Sequence, residues 1–267
     1  MNQNYVLVID IGNTHIVMGI YEESELIQSW RFQSDVLKTA DEYYSLFKSL
    51  KESIPQHIAQ FHNCILASVV PELTRIFSHM VSKYLLCRLI IVNAETPLGL
   101  KFLIPDPSFI GADLLVNAYV AREKYLTNCI ICDFGTATTI QLVGKDGTFY
   151  GTVIAPGVMT SASTLFSKAA LLSSIELEMP VKTIGTNTRE ALLSGIVTGH
   201  SYLVDGFIRR IREEYSYLGE IRAIATGGIS SLICQGSREI DLIDKTLTLE
   251  GLYRIGYALD STESTVQ

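Results

Sequence analysis

Two short stretches of this chain carry the same arrangement of chemistry-bearing residues. Asp10-Ile11-Gly12-Asn13-Thr14 and Asp133-Phe134-Gly135-Thr136-Ala137-Thr138 each end an apolar run in an aspartate, then turn through a glycine and small, mostly hydroxyl-bearing residues. A phosphate chain needs backbone N–H groups that approach closely, small side chains that permit it, and a hard cation that neutralises charge. One such turn has a bland explanation, an aspartate bonding its own backbone. For two of them, the cation role is the better account. Neither a G-x-x-x-x-G-K-[ST] loop nor a protein-kinase signature set is present, so the two turns answer the phosphate problem differently. Thr226-Gly227-Gly228 follows another apolar run and fits a loop where a nucleotide lies close to backbone, although Gly-Gly turns are common.

Gly111-Ala112-Asp113 precedes a helical pattern. Asp113 reads either as a helix-start carboxylate or as a general base taking a proton from an acceptor hydroxyl. The sequence leaves both open. His15, in the first turn, is placed to touch phosphate, whereas His57, His62, His79 and His200 read as surface or core residues, with no metal-ligand spacing among them.

The elements that must position these residues follow from periodicity. Residues 5–33 read as strand–turn–strand–turn–strand. Thr39-Ala-Asp-Glu42 is a capping box opening a helix over 41–52. A strand over 64–68, Pro71 at a helix start, helical spacing from Leu73 to Leu85 and a strand over 89–94 complete a parallel crossover. The second half repeats the meander over 128–157 with a tight turn at Lys145-Asp146-Gly147. Leu192 to Ile211 marks a long amphipathic helix whose Arg209, Arg210 and Arg212 belong to its wet side. The expectation is two duplicated α/β domains facing one another, 1–115 and 116–257, followed by a polar tail, 258–267.

Composition narrows the function classes. The chain has 267 residues, 48% of them hydrophobic, and a formal charge of −7, which repels a polyanion such as nucleic acid. Asp10 interrupts the first apolar run and Arg88 another, so neither a targeting segment nor a bilayer span is expected. Five sparse cysteines argue for a reducing, cytoplasmic compartment. Cys129 and Cys132 have C-x-x-C spacing on a strand, where side chains three apart point to opposite faces. They read as structural thiols.

Asp-x-Gly-Asn-Thr at 10–14, Ser-Val-Val-Pro at 68–71, Gly-Ala-Asp at 111–113 with Asn117-Ala118, Asp-Phe-Gly-Thr-Ala-Thr at 133–138, Ile-Ala-Pro-Gly at 154–157 and Gly-Thr-Asn-Thr at 185–188 occur in this order. The set resembles the type III pantothenate kinase family, from the first strand to about residue 257. The resemblance implies an actin-like (ribonuclease-H-like) fold, two duplicated domains with a nucleotide cleft between them, a homodimer, and ATP-dependent phosphorylation of pantothenate in coenzyme A synthesis. It implies that Asp10, Ile11, Gly12, Asn13, Thr14, His15, Ile16 and Val17 hold the ATP phosphates, with Asp10 near Mg²⁺, and that Thr136 touches ATP. Asp113 would be the proton acceptor, and Asp133 would bind a monovalent cation, K⁺ or ammonium. Gly111, Ala112, Asp113, Leu114 and Thr188 would contact pantothenate, the site being completed across the dimer interface. Three positions depart from the family pattern: Leu114 stands for an arginine, Ile104 for a tyrosine, and Gly151-Thr152 for Gly-Gly. Two alternatives stand beside the kinase reading: a catalytically impaired nucleotide-binding relative with a regulatory role, and a kinase for another small hydroxyl compound.

Overall fold

A computed structural model describes residues 5–51, 60–168 and 175–264. Glu52, His57 and the last three residues of the tail lie outside them. The chain divides into two compact units. Residues 5–98, 106–120 and 248–264 form the first; 99–105 and 121–247 form the second.

In the first unit, β1 (Tyr5–Ile11), β2 (His15–Glu22) and β3 (Glu25–Gln33) form the expected antiparallel meander. Helix α1 (Ala40–Lys51) opens on a capping box: Glu42 N–H reaches Thr39 Oγ1 at 3.3 Å, and Thr39 N–H reaches Glu42 Oε2 at 2.8 Å. Strand β4 (Asn63–Ser68) lies parallel to β1. Helix α2 (Pro71–Met80), with Pro71 in its first turn, runs on through a π-helical turn, Val81–Leu85, and β5 (Arg88–Ile91) closes the sheet. The strand order is β3-β2-β1-β4-β5. One face carries the core of Ile9, Ile11, Ile16 and Met18 against Phe47 of α1 and Phe77 of α2.

The second unit repeats this order. Strand β6 (Lys101–Phe102) belongs to it, and the division between the units falls within helix α3 (Ala112–Tyr125). Then come β7 (Asn128–Phe134), β8 (Ala137–Val143), β9 (Thr148–Pro156), α4 (Val158–Lys168) and α5 (Thr188–Leu193). A π-helical turn, Ser194–Thr198, joins α5 to α6 (Gly199–Glu214), so the helix expected over 192–211 exists with a wider turn inside it. Strand β10 (Ile221–Thr226), the short α7 (Ser230–Ile233) and β11 (Leu242–Ile243) follow. The order β9-β8-β7-β10-β11 matches that of the first sheet, with β6 added outside β9. A core of Ile130, Cys132 and Phe134 packs on Val197, Val204 and Ile208.

The last helix, α8 (Leu247–Ser264), takes up most of the segment read as a polar tail. It belongs to the first unit from Thr248 onward. Two glycines let it lie close there: a Cβ at Gly251 would meet Val116 Cγ1 at 2.6 Å, and one at Gly256 would meet Ile65 Cδ1 at 2.6 Å. By length and hydropathy Thr188–Glu214 could cross a membrane, against the expectation of no such span, but half of its apolar window is buried within the protein.

Candidate functional site

In the first unit the chemistry gathers at the carboxyl ends of β1 and β4. Asp10 is the penultimate residue of β1, flanked by Val17 of β2 and Ala67 of β4, and is half-buried. Gly12 N–H closes the turn onto His15 carbonyl at 2.9 Å. Asn13, Thr14 and His15 are exposed, whereas the side chains of Ile11 and Ile16 point into the core, so these two could offer a ligand only backbone. Ser34 takes up the turn's carbonyls: its Oγ donates to Gly12 O at 2.6 Å and its N–H to Thr14 O at 2.9 Å. Carbonyl oxygens engaged this way are turned from an incoming anion, which suits phosphate.

Asp113 joins the same neighbourhood through Val69. The Val69 N–H bonds Ile11 O at 3.0 Å, and a Cβ on Gly111 would lie 3.3 Å from Val69 Cγ1. The same Cβ would sit 2.4 Å from Asp113 Oδ1, so glycine at 111 makes room for that carboxylate. Leu114 N–H holds Asp113 Oδ1 at 2.9 Å. Burial pushes the Asp113 carboxyl above its ordinary value, against that N–H and its own, which pull it down. A half-buried carboxylate of raised pKa in the first turn of a helix suits a proton acceptor. Ala112 and Leu114 are buried, Leu114 to 7% exposure.

The second unit builds an equivalent turn. Asp133 is again penultimate in its strand, flanked by Thr139 and by Thr226 of the parallel β10. The turn is one residue shorter than the first. One of its carbonyls is engaged in a similar way: Thr136 O accepts from Gly157 N–H at 3.0 Å and from Thr160 Oγ1 at 2.7 Å. Thr136 itself is exposed. Gly227, at φ 91°, presses its backbone against the aspartate; a Cβ there would lie 2.6 Å from both Asp133 Oδ1 and Phe134 N. Gly157 is as constrained, since its Cβ would meet Gly135 O at 2.3 Å.

Thr188, the first residue of α5, is exposed in the second unit, next to Asn187, which caps the helix through Glu190 N–H. His200 is a buried partner of Thr138, at 2.8 Å, with its ring edge-on to Phe134. Burial lowers its pKa. His200 is a core residue, one of the two readings the sequence offered, and Val69 lies in the Ser-Val-Val-Pro motif, whereas Ser34 left no signal in the sequence, because it acts on residues distant along the chain. The five cysteines form no disulfide, and burial pushes Cys129 up to about 12. Arg209, Arg210 and Arg212 face Glu239, Glu213, Glu214 and Asp241, as a solvated face should.

Two sheets that share one five-strand order, the second with β6 added at its edge, each with an aspartate-tipped hairpin, define a duplicated actin-like α/β fold. Solved structures agree. Ethanolamine utilization protein EutJ from Carboxydothermus hydrogenoformans superposes with a TM-score of 0.55 at 15% identity, covering 94% of this chain and 90% of that one. The inorganic polyphosphate/ATP-glucomannokinase from Arthrobacter sp. strain KM gives 0.51 at 14% identity, covering 96% and 99%. The sequence profile of the type III pantothenate kinase family matches residues 6–210. A type III pantothenate kinase of Exiguobacterium sibiricum is 41% identical over 247 residues, 92% of this chain and 96% of its own length. The chain belongs to the type III pantothenate kinase family.

Proposed function

We propose that this protein transfers the γ-phosphate of ATP to the hydroxyl of pantothenate, giving 4′-phosphopantothenate, the first step of coenzyme A synthesis. The observation that carries this reading is the 41% identity to a type III pantothenate kinase across 92% of the chain. Gly12 to Val17 receive the ATP phosphates at the β1–β2 turn, and Thr136 touches the nucleotide from the second turn. Gly111, Ala112, Leu114 and Thr188 line the acceptor. Asp113 takes the proton of the attacking hydroxyl, a step suited to its raised pKa.

Two cations fit the donor set. No cluster of three His, Cys, Asp or Glu side chains that could hold a metal ion occurs among the described residues. Mg²⁺ is commonly held by one or two carboxylates plus phosphate oxygens and water, and Asp10 offers that carboxylate. Asp133, with the backbone of Phe134 and Gly227 pressed close, offers oxygen donors to K⁺ or ammonium. When bound, the cations neutralise charge on the phosphates.

The protein works as a cytoplasmic homodimer. Exposed apolar side chains in the second unit, among them Ile154, Met159, Val181, Ile184 and Tyr202, supply surface for a second copy. The net charge of −7 disfavours nucleic acid as a partner, and the burial of half of the apolar window of Thr188–Glu214 within the protein favours a core helix over a membrane span. The deciding experiment is a coupled ADP-release assay with pantothenate, Mg²⁺ and K⁺. Acceptor-dependent turnover is expected; none from folded protein refutes the reading.

A further inference from the structure

Arg31 lies on the edge strand β3 directly opposite Val17, and Val17 lies opposite Asp10. Residues directly opposite in an antiparallel ladder present their side chains to one face. Arg31, Val17 and Asp10 therefore form a row, about 10 Å long from two interstrand spacings. The neighbouring row, Phe32, Ile16 and Ile11, faces the other way, into the core. His15 shares the face of Arg31, because it is two residues before Val17. Partial burial first, and then the Arg31 charge, lower the His15 pKa, so the guanidinium is felt at the turn. Lys38, Arg88 and Arg254 of the same unit are paired with Asp35, Asp260 and Glu250. Arg31 is exposed and has no ion-pair partner among the described residues. A long cationic side chain thus stands at the rim of the Asp10 turn with no ion pair to an acid among the described residues.

We propose that Arg31 binds the triphosphate of the nucleotide, its guanidinium closing the β1–β2 turn from the edge-strand side and pairing with the terminal phosphates. This rests on the turn being the ATP site. Planar, fixed-charge donors make bidentate contacts to phosphate that an ammonium does not reproduce.

The test is calorimetric binding of a non-hydrolysable ATP analogue and of adenosine to wild type, Arg31→Met and Arg31→Lys, with turnover measured alongside. Loss of a charge-assisted pair should weaken analogue binding by roughly 10- to 100-fold in Arg31→Met. Adenosine binding should change by less than about threefold, since it carries no phosphate. Arg31→Lys should fall between. The His15 pKa, followed by NMR, should rise in Arg31→Met. If Arg31→Met binds the analogue as wild type does, the inference is wrong; should that variant not fold, wild-type affinity in Arg31→Lys overturns it equally. Wild type that binds the analogue but does not phosphorylate pantothenate refutes the proposed function alone. Wild type that binds no analogue refutes both.

Discussion

Substituting Gly111 by alanine isolates the positioning of Asp113 from its chemistry. The backbone at 111 is open to any residue, so the added methyl acts only through space. Its carbon would lie 2.4 Å from Asp113 Oδ1, whereas comfortable contact lies near 3.5 Å, so the oxygen must retreat by about 1 Å. The retreat gives up the 2.9 Å bond from Leu114 N–H. That bond contributes about 1 kcal/mol to stability, a fall in Tm of about 2–4 °C for a chain of this size. A general base displaced by about 1 Å loses on the order of 10²-fold in rate, within the 10²–10⁴ that general-base catalysis supplies. Gly111→Ala should therefore fold, retain the wild-type KM for ATP, and show kcat reduced about 100-fold in the coupled ADP-release assay. A kcat within about threefold of wild type, in a variant whose crystal structure shows the carboxylate moved, refutes the assignment of Asp113 as proton acceptor.

Asp113→Asn should lower kcat by about 10²–10⁴ and yet raise Tm at neutral pH. The folded-state pKa of Asp113 is raised, so its ionisation costs the folded state, and the stability it allows at low pH is lost as pH rises through that pKa. The Tm difference should vanish below the ordinary carboxylate pKa of about 4. Asp133→Asn and Gly227→Ala should both abolish activation by K⁺, read from turnover with and without the salt; a preserved K⁺ response in Asp133→Asn removes Asp133 from the cation site. Asp244 accepts from Lys124 Nζ at 2.7 Å and Tyr125 Oη at 2.6 Å in the second unit. Burial pushes its pKa up, and these partners together pull it below its ordinary value. Asp244→Ala should cost about 3 kcal/mol in urea unfolding at neutral pH, since it leaves a cation poorly paired. The stability Asp244 supplies is lost as pH falls through its lowered pKa, so the difference should shrink in acid.

Much of this protein is legible in its amino-acid sequence. The two meanders show in the alternation around Gly12 and Gly135, because strand and turn preferences are local. The capping box at Thr39 and Glu42 and the start at Pro71 also depend only on neighbours in the chain. The ordered motifs identified the family, and both aspartates stand at the strand ends where apolar runs stop. What tertiary structure alone decided is what those residues touch. Ser34 reaches the carbonyls of Gly12 and Thr14 because β3 folds back beside β2. Gly227 must be glycine because parallel pairing brings β10 against Asp133. Val69 links the Asp10 turn to Gly111, two residues before Asp113. Each of these contacts joins residues that no local preference relates, and close packing of the finished sheet is the force that brings them together.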